Sequence, residues 1–404
     1  MNKLLTLTAA LLLASAAGAS ASQKIIMFEA AYKGGAIDRS IESIGGTVTK
    51  KFRTIDALTA TFPDNTKDAS IYSLRGVTNV AEDTYSRWIE AAPASMDSAP
   101  LPTVESALNM VRTGEGWDAP VFGEIRPAAD PAAEKEIPWG VKRLNAAAAW
   151  DYTAGAGVKV AIIDTGMDYT HPDLAANYKG GYNAIISTAT PMDDHGHGTH
   201  VSGTIGAIMD SKGVVGVAPR ASLYAVKVLD KNGSGQYSWI VDGIDWAIAN
   251  HIQVINMSLG GGSGTEALKQ IMIKAEQAGV TIICAAGNDS GPVNFPAKYP
   301  QAIAVSASDN TDKIASFSSR GAEIAVIAPG VNIYSTRKGG GYTTMSGTSM
   351  ACPHTAGLAA LAIGAGAKTP AEVRAAFKAA ASPLPGLKPT DQGAGLVDAF
   401  KLVR

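Results

Sequence analysis

Five short apolar runs, at 158–163, 223–228, 253–257, 280–285 and 302–306, alternate with segments of helical spacing at about 199–208, 238–249 and 265–277. Runs this short and this rich in Val and Ile read as buried strands rather than helices. A strand–helix–strand alternation leads to crossover units around a parallel sheet with helices on both faces. Ser238 and Thr265 are predicted N-caps, and Gly279 stands just past the end of the third helix. Thr369-Pro370-Ala371-Glu372 is a capping box with proline at the first helical position, opening a helix to about Ala380. The expected class is α/β with a doubly wound parallel sheet. A chain of 404 residues accommodates such a domain and a small second one.

Chemistry concentrates in a few stretches. In Gly347-Thr348-Ser349-Met350-Ala351-Cys352-Pro353-His354 a serine follows a glycine turn and enters a small-residue helix, predicted from Ala351 to Ala365 with Pro353 in its first turn. Unpaired N–H groups and the positive end of that helix favour an oxyanion there. A serine needs a base, and the base an orienting group. The chain has six histidines, three of them in Asp193-Asp194-His195-Gly196-His197-Gly198-Thr199-His200. Val158-Lys159-Val160-Ala161-Ile162-Ile163-Asp164-Thr165-Gly166 reads as a buried strand with Asp164 at its carboxyl end, where open α/β sheets place their sites. The order along the chain is Asp, His, Ser.

The stretches around Asp164, His197 and Ser349 resemble the three signature motifs of the subtilisin-like serine proteases. Ala285-Ala286-Gly287-Asn288 is similar to the family's oxyanion-asparagine motif, and Gly233-Ser234-Gly235-Gln236-Tyr237-Ser238-Trp239-Ile240 to its substrate-binding edge. The similarity runs from about Pro138 to the C-terminus. It implies a secreted serine endopeptidase working through an acyl-enzyme, with Ser349 as nucleophile, His197 as base, Asp164 as its orienting partner, and Asn288 with the Ser349 N–H as oxyanion donors. By the same resemblance, Gly233, Ser234 and Gly235 on one side and Ser258, Leu259 and Gly260 on the other would receive an extended peptide as an added strand. Ala285, Gly287 and Asn294 would floor the primary pocket, and Tyr237 and Ile240 would line a second apolar subsite. No fixed charge is evident in the pocket, which implies broad specificity with apolar or aromatic residues before the cut bond. A structural Ca2+ site is implied at Asp173 and Asp210, completed by carbonyls of Ile208, Lys212 and Val214, because calcium takes six to eight oxygens. The family's N-terminal calcium ligand falls near Lys135, which cannot coordinate, so Glu134 or Glu136 would substitute. His200 is expected to pack inside its helix, His195 to sit on the surface at the rim, His171 and His354 to be structural, and His251 to be solvated at a helix end.

The remaining chain divides in order. Residues 1–21 combine a short basic start, the apolar run Leu4 to Ala17 and Ala19-Ser20-Ala21, and read as a secretory signal peptide cleaved after Ala21. Residues 22–90 show a β-α-β-β-α-β order of ferredoxin-like type. They also resemble the inhibitory propeptide of subtilisins, which serves as folding chaperone and temporary inhibitor. Residues 91–136 lose apolar periodicity, become rich in Ala, Pro, Asp and Glu, and read as a linker. Residues 137–404 are the catalytic domain. Self-cleavage is expected near Tyr85–Ala91, later in the linker, or at both places. Secretion would place the protein outside the cell or in a periplasm. It is expected to be a monomer with no stable membrane span, whose partners are peptide and protein substrates and its own propeptide. The formal net charge is -2 with no basic block, so nucleic acid is not an expected partner.

Cys284 and Cys352 flank the predicted site, and either a disulfide or two buried thiols fits their placement. A zinc protease would need H-E-x-x-H, and an α/β-hydrolase G-x-S-x-G with the order Ser, Asp, His; the chain has neither.

Overall fold

The computed structural model of the protein describes residues 21–33, 35–89 and 136–404. The signal-peptide expectation falls outside the described residues except for Ala21, and the linker except for Glu136. Two compact units result. The smaller takes in the chain up to Lys51 and Leu58–Glu82, and the larger takes in Phe52–Ala57 and Asp83–Arg404.

The smaller unit has strands β1 (Ala21–Phe28), β2 (Thr47–Lys51), β3 (Ala57–Pro63) and β4 (Val77–Glu82), with helices α1 (Ala36–Ser43) and α2 (Asp68–Tyr72). The sheet order β2-β3-β1-β4 is the one the β-α-β-β-α-β pattern calls for. Ile37 and Ile41, one turn apart on α1, are buried with Ile26, Phe28, Leu58, Phe62 and Ile71.

In the larger unit the sheet has nine strands. Along the chain they are β6 (Lys159–Asp164), β7 (Tyr178–Asn183), β8 (Ser222–Lys227), β10 (Val254–Met257), β11 (Thr281–Ala285), β12 (Ala302–Ser308), β13 (Ile324–Pro329), β16 (Ala381–Ser382) and β17 (Leu396–Val397). Their order is β16-β17-β13-β12-β11-β10-β6-β8-β7. Among the described residues every ladder of this sheet is parallel except β16–β17. Two short pairs stand apart: β5 (Tyr85–Arg87) with β9 (Ser234–Gln236), and β14 (Ile333–Thr336) with β15 (Tyr342–Met345). The helices that matter to the site are α3 (His197–Gly206), α4 (Tyr237–Ala249), α5 (Glu266–Gln277), α6 (Thr348–Gly364) and α7 (Pro370–Ala380).

Central strands are buried on both faces, with Val160, Ala161, Ile162 and Ile163 at 0% exposure, which is why they read as unbroken apolar runs. Helix α6 is small-residue throughout because it crosses close to other elements. A Cβ added at Gly357 would stand 2.5 Å from Val217 Cβ.

Local signals met three outcomes. Thr265 caps α5 by accepting Leu268 N–H at 3.2 Å. At α7, Thr369 accepts Glu372 N–H, but the glutamate reaches back to Lys368 N–H rather than to the cap residue. Ser238 is not the N-cap of α4; that residue is Gln236, and Ser238 donates both its N–H and its hydroxyl to the Asp83 carboxylate.

Helices α3 and α6 each bury a histidine at 0% exposure, His200 and His354. One ring nitrogen of each meets a main-chain carbonyl, Ile333 O at 3.0 Å and Met350 O at 2.8 Å. Burial pushes His200 down to about 3 and His354 down to about 4. Both are therefore neutral when folded and protonate near pH 6.5 when unfolded. Below pH 6.5 the unfolded chain binds the extra protons, so stability falls by up to about 1.4 kcal/mol per pH unit for each ring. Ser349→Ala protein is expected to show a lower urea midpoint at pH 5 than at pH 7, above the carboxylate range. An equal or higher midpoint at pH 5 would contradict the burial of two neutral rings.

Candidate active site

The site is built at the carboxyl ends of the parallel strands. Asp164 ends β6 and is fully buried. Its carboxylate accepts Thr165 N–H at 2.7 Å and faces His197 Nδ1 with both oxygens, at 2.9 and 3.0 Å. His197 is the first residue of α3, entered through Gly196 at φ 118°. The approach is tight. A Cβ on the next residue, Gly198, would lie 2.1 Å from Gly166 O and 3.2 Å from Asp164 Oδ1. Burial alone would push His197 down; the Asp164 charge and hydrogen bond override it, and the ring sits above its ordinary value. His197 Nε2 is buried and has no hydrogen-bond partner among the described residues.

The loop carrying His197 is organised by Asp193, which is 3% exposed. Its Oδ1 accepts from Thr165 Oγ1, His195 N–H and Gly196 N–H, and its Oδ2 from Thr199 N–H and Oγ1. Those bonds hold the Asp193 carboxyl below its usual range against the opposing effect of burial. His195 is exposed at the rim, as expected, and accepts His197 N–H at 3.2 Å.

Ser349 is the second residue of α6, which starts three residues earlier than predicted. Pro353 is therefore inside the helix, and it has no N–H to give Ser349 O. The Ser258 hydroxyl replaces it at 2.8 Å, and is itself bonded by Asn256 Nδ2 at 3.0 Å. Ser349 Oγ donates in turn to Ser258 O at 3.0 Å. Asn256 was missed by sequence reasoning, although an asparagine inside the apolar run 253–257 was a usable signal.

Asn288 follows Gly287, whose φ is 117°. Its Oδ1 accepts Thr348 N–H at 2.8 Å and the Thr348 hydroxyl at 2.9 Å, fixing the carboxamide at the start of α6. A pocket beside it is lined by Leu259, Gly260, Ala285, Gly287, Asn288, Asn294, Thr348 and Ser349, and also by Trp88. The structure thus brings together the predicted pocket residues with Ser349 and Asn288, and adds an aromatic ring from further upstream that the sequence reading did not single out.

That ring belongs to a strand laid along the cleft of the larger unit. Tyr85, Ser86 and Arg87 of β5 pair antiparallel with Gln236, Gly235 and Ser234 of β9. Trp88 N–H and Ile89 N–H both donate to Gly233 O, at 3.0 and 3.2 Å. On the other side Gly260 N–H donates to Trp88 O at 3.0 Å. The Trp88 indole bonds Gly235 O at 2.9 Å and meets Tyr237 edge-on, with centroids 4.7 Å apart. Ile240 is fully buried beneath.

The predicted calcium residues lie elsewhere. Asp173 is buried in a short helix and its Oδ2 accepts Val214 N–H at 2.8 Å. Asp210 is exposed, with Oδ1 taken by Lys212 N–H. Burial raises Tyr342, followed by the charge and hydrogen bond of Asp173 and then by Tyr334 and Asp210. Glu136 bridges to Val214. Among the described residues no three His, Cys, Asp or Glu side chains form a metal-holding group. Cys284 and Cys352 are free and buried, and burial drives both thiols up, so neither is a thiolate.

Comparison with known proteins agrees with the motifs. A model described as the subtilase family matches residues 155–398. Subtilisin amylosacchariticus of Bacillus subtilis subsp. amylosacchariticus is 46% identical over 283 residues, covering 68% of this chain and 71% of its own. Subtilisin of Bacillus pumilus is 52% identical over 235 residues, 56% of this chain and 84% of its own. A thermostable alkaline protease of Halalkalibacterium halodurans is 44% identical over 263 residues, 65% of this chain and 72% of its own.

Asp164→Asn should leave burial of His197 opposed only by the weaker charge of Asp193. In 15N-histidine-labelled protein its titration midpoint is expected to fall below 6.5. A midpoint that stays raised would show that another group sets it.

Proposed function

The chain belongs to the subtilase family and is a subtilisin-like serine endopeptidase, and on that premise we propose that Asp164, His197 and Ser349 form its catalytic triad in a self-processing, secreted zymogen. Ser349 Oγ attacks the scissile carbonyl. His197 Nε2 takes its proton and returns it to the leaving amine, and Asp164 holds the tautomer and stabilises the imidazolium. In the described state Ser349 Oγ bonds Ser258 O, so the bond to His197 forms on substrate engagement, as catalytic hydrogen bonds often do. The oxyanion is received by Asn288 Nδ2, set by the Thr348 bonds to Oδ1, and by the Ser349 N–H. With no fixed charge in the pocket, the reading is broad specificity for apolar or aromatic residues before the cut bond.

One observation carries the self-processing reading: residues 85–89 occupy the cleft as an added strand, bonded to Gly233 on one side and Gly260 on the other. Substrate peptide would bind the same way, and residues 22–90 would act as inhibitor and chaperone of the catalytic domain. Two more contacts within the larger unit support it. Asp83 receives Ser238 at the start of α4, and Asp245 on the same helix receives Arg53 N–H, Thr54 N–H and the Thr54 hydroxyl. Cleavage would fall beyond Ile89 and before the catalytic domain.

Residues 22–404 are expressed as wild type and as Ser349→Ala and weighed by intact mass spectrometry. The wild type is expected to shorten to a catalytic-domain fragment while the variant stays whole. Equal shortening of both would refute self-processing.

Calcium would suit the hard carboxylates of Asp173 and Asp210, with carbonyls of Ile208, Lys212 and Val214 completing the set. Bound there it would tie the 208–214 loop to the 171–175 segment; it takes no part in bond cleavage. Chelation is expected to lower the thermal midpoint, and Asp210→Asn to remove that sensitivity. A midpoint indifferent to chelator in the wild type would exclude the site.

A further inference from the structure

Lys227 ends β8 and lies in register with Asp164 across the parallel β6–β8 ladder. It is 5% exposed. A buried ammonium is tolerated only if its three N–H groups find acceptors. Nζ donates to Thr165 O at 2.7 Å, Asp194 Oδ1 at 2.6 Å and Leu229 O at 2.7 Å. Each acceptor belongs to a different part of the site. Thr165 is the turn residue after Asp164, and its hydroxyl links Asp193 to Gly198 N–H. Asp194 is in the loop that delivers His197. Leu229 leads to Asp230, whose Oδ1 accepts Ser234 N–H at 3.1 Å on the substrate edge.

We propose that Lys227 is a positioning residue for peptide hydrolysis: one buried ammonium holds the Asp164 turn, the His197 loop and the approach to Gly233–Gly235 in a single arrangement. It touches neither substrate nor the reacting atoms. The proposal rests on the reading of Asp164 and His197 as the catalytic couple. Without the ammonium, Thr165 O and Leu229 O would be buried without that donor, and the segments would move to satisfy them. A displacement of about 1 Å in such a frame can cost on the order of a hundredfold in rate.

Charge gives a readout that packing alone would not move. His197 is faced by Asp164 from β6, by Asp193 and His195 from its own loop and by His200 from its own helix. Behind that loop stand Asp194, Lys227 and Lys338, whose Nζ bonds Asp194 O at 2.7 Å. Lys227→Met removes a cation and leaves the Asp194 carboxylate uncompensated, which favours the imidazolium. Asp194→Asn does the opposite. Lys227→Arg keeps the charge, but a planar fork does not match three convergent acceptors.

The variants are made in the full chain. Rates are measured per site titrated with a fluorophosphonate, and the 15N-histidine titration is followed in Ser349→Ala protein, where no activity is needed. Lys227→Met is expected to lower kcat about tenfold or more with KM little changed, and to raise the His197 midpoint. Lys227→Arg lowers kcat with the midpoint unmoved, and Asp194→Asn lowers the midpoint. A Lys227→Met enzyme with kcat within about twofold of wild type and an unmoved midpoint would overturn the proposal. Should that variant not fold, Lys227→Arg and Asp194→Asn decide: unchanged kcat and midpoint in both overturn it equally. Failure of Ser349 to take up the fluorophosphonate would instead defeat the protease reading, while the titration still reports on Lys227.

Discussion

A carboxylate with no exposure must be paired, and the pairing of Asp164 with His197 sets the conditions for everything around it. The aspartate is placed by the end of a strand buried on both faces, so it cannot relax toward water. The histidine must come to it, and Gly166 and Gly198 let two main-chain segments close to a distance that any side chain would prevent. The pair then inverts the effect of burial on the ring. His200 and His354, equally buried but without a carboxylate, are held neutral, whereas His197 is biased toward the cation it would become during proton transfer.

The serine side of the site rests on a different device. Proline at 353 removes the N–H that helix α6 would offer to Ser349 O, and Ser258 makes up the loss while remaining tied to Asn256 at the end of β10. One polar chain therefore connects the central sheet to Ser349, the proposed nucleophile. Asn288 is fixed by the same helix start through Thr348, so Ser349 and Asn288, the proposed nucleophile and oxyanion donor, share one support. Two such groups move together or not at all, which suits a site whose gain comes from donors already in place.

Much of this was legible in the sequence because central parallel strands are apolar without interruption. The strand ends carrying Asp164 and the turns before His197 and Ser349 announce themselves by glycine. What was not legible has physical causes. Strand β7, Tyr-Lys-Gly-Gly-Tyr-Asn, lies at the sheet edge, half exposed, and has neither apolar run nor alternation. The start of α6 is read too late in the sequence because Ser258, 91 residues upstream of Ser349, makes up for the proline. Ser238 reads as a cap because its partner, Asp83, is still more remote, 155 residues away. Trp88 and Lys227 take their meaning from contacts that no local pattern encodes.

Residues 52–57 and 83–89 belong to the larger unit, although they come from the stretch read as propeptide. While the chain is whole, the strand over Gly233 is tethered, and its effective concentration at the cleft is set by chain length, not by how much protein is present. A single cut beyond Ile89 would leave every contact in place and yet change the order of the reaction. Occupancy would become bimolecular, so dilution alone would begin to open the cleft. Such an enzyme would stay closed where it is made and crowded, and open where it is dispersed.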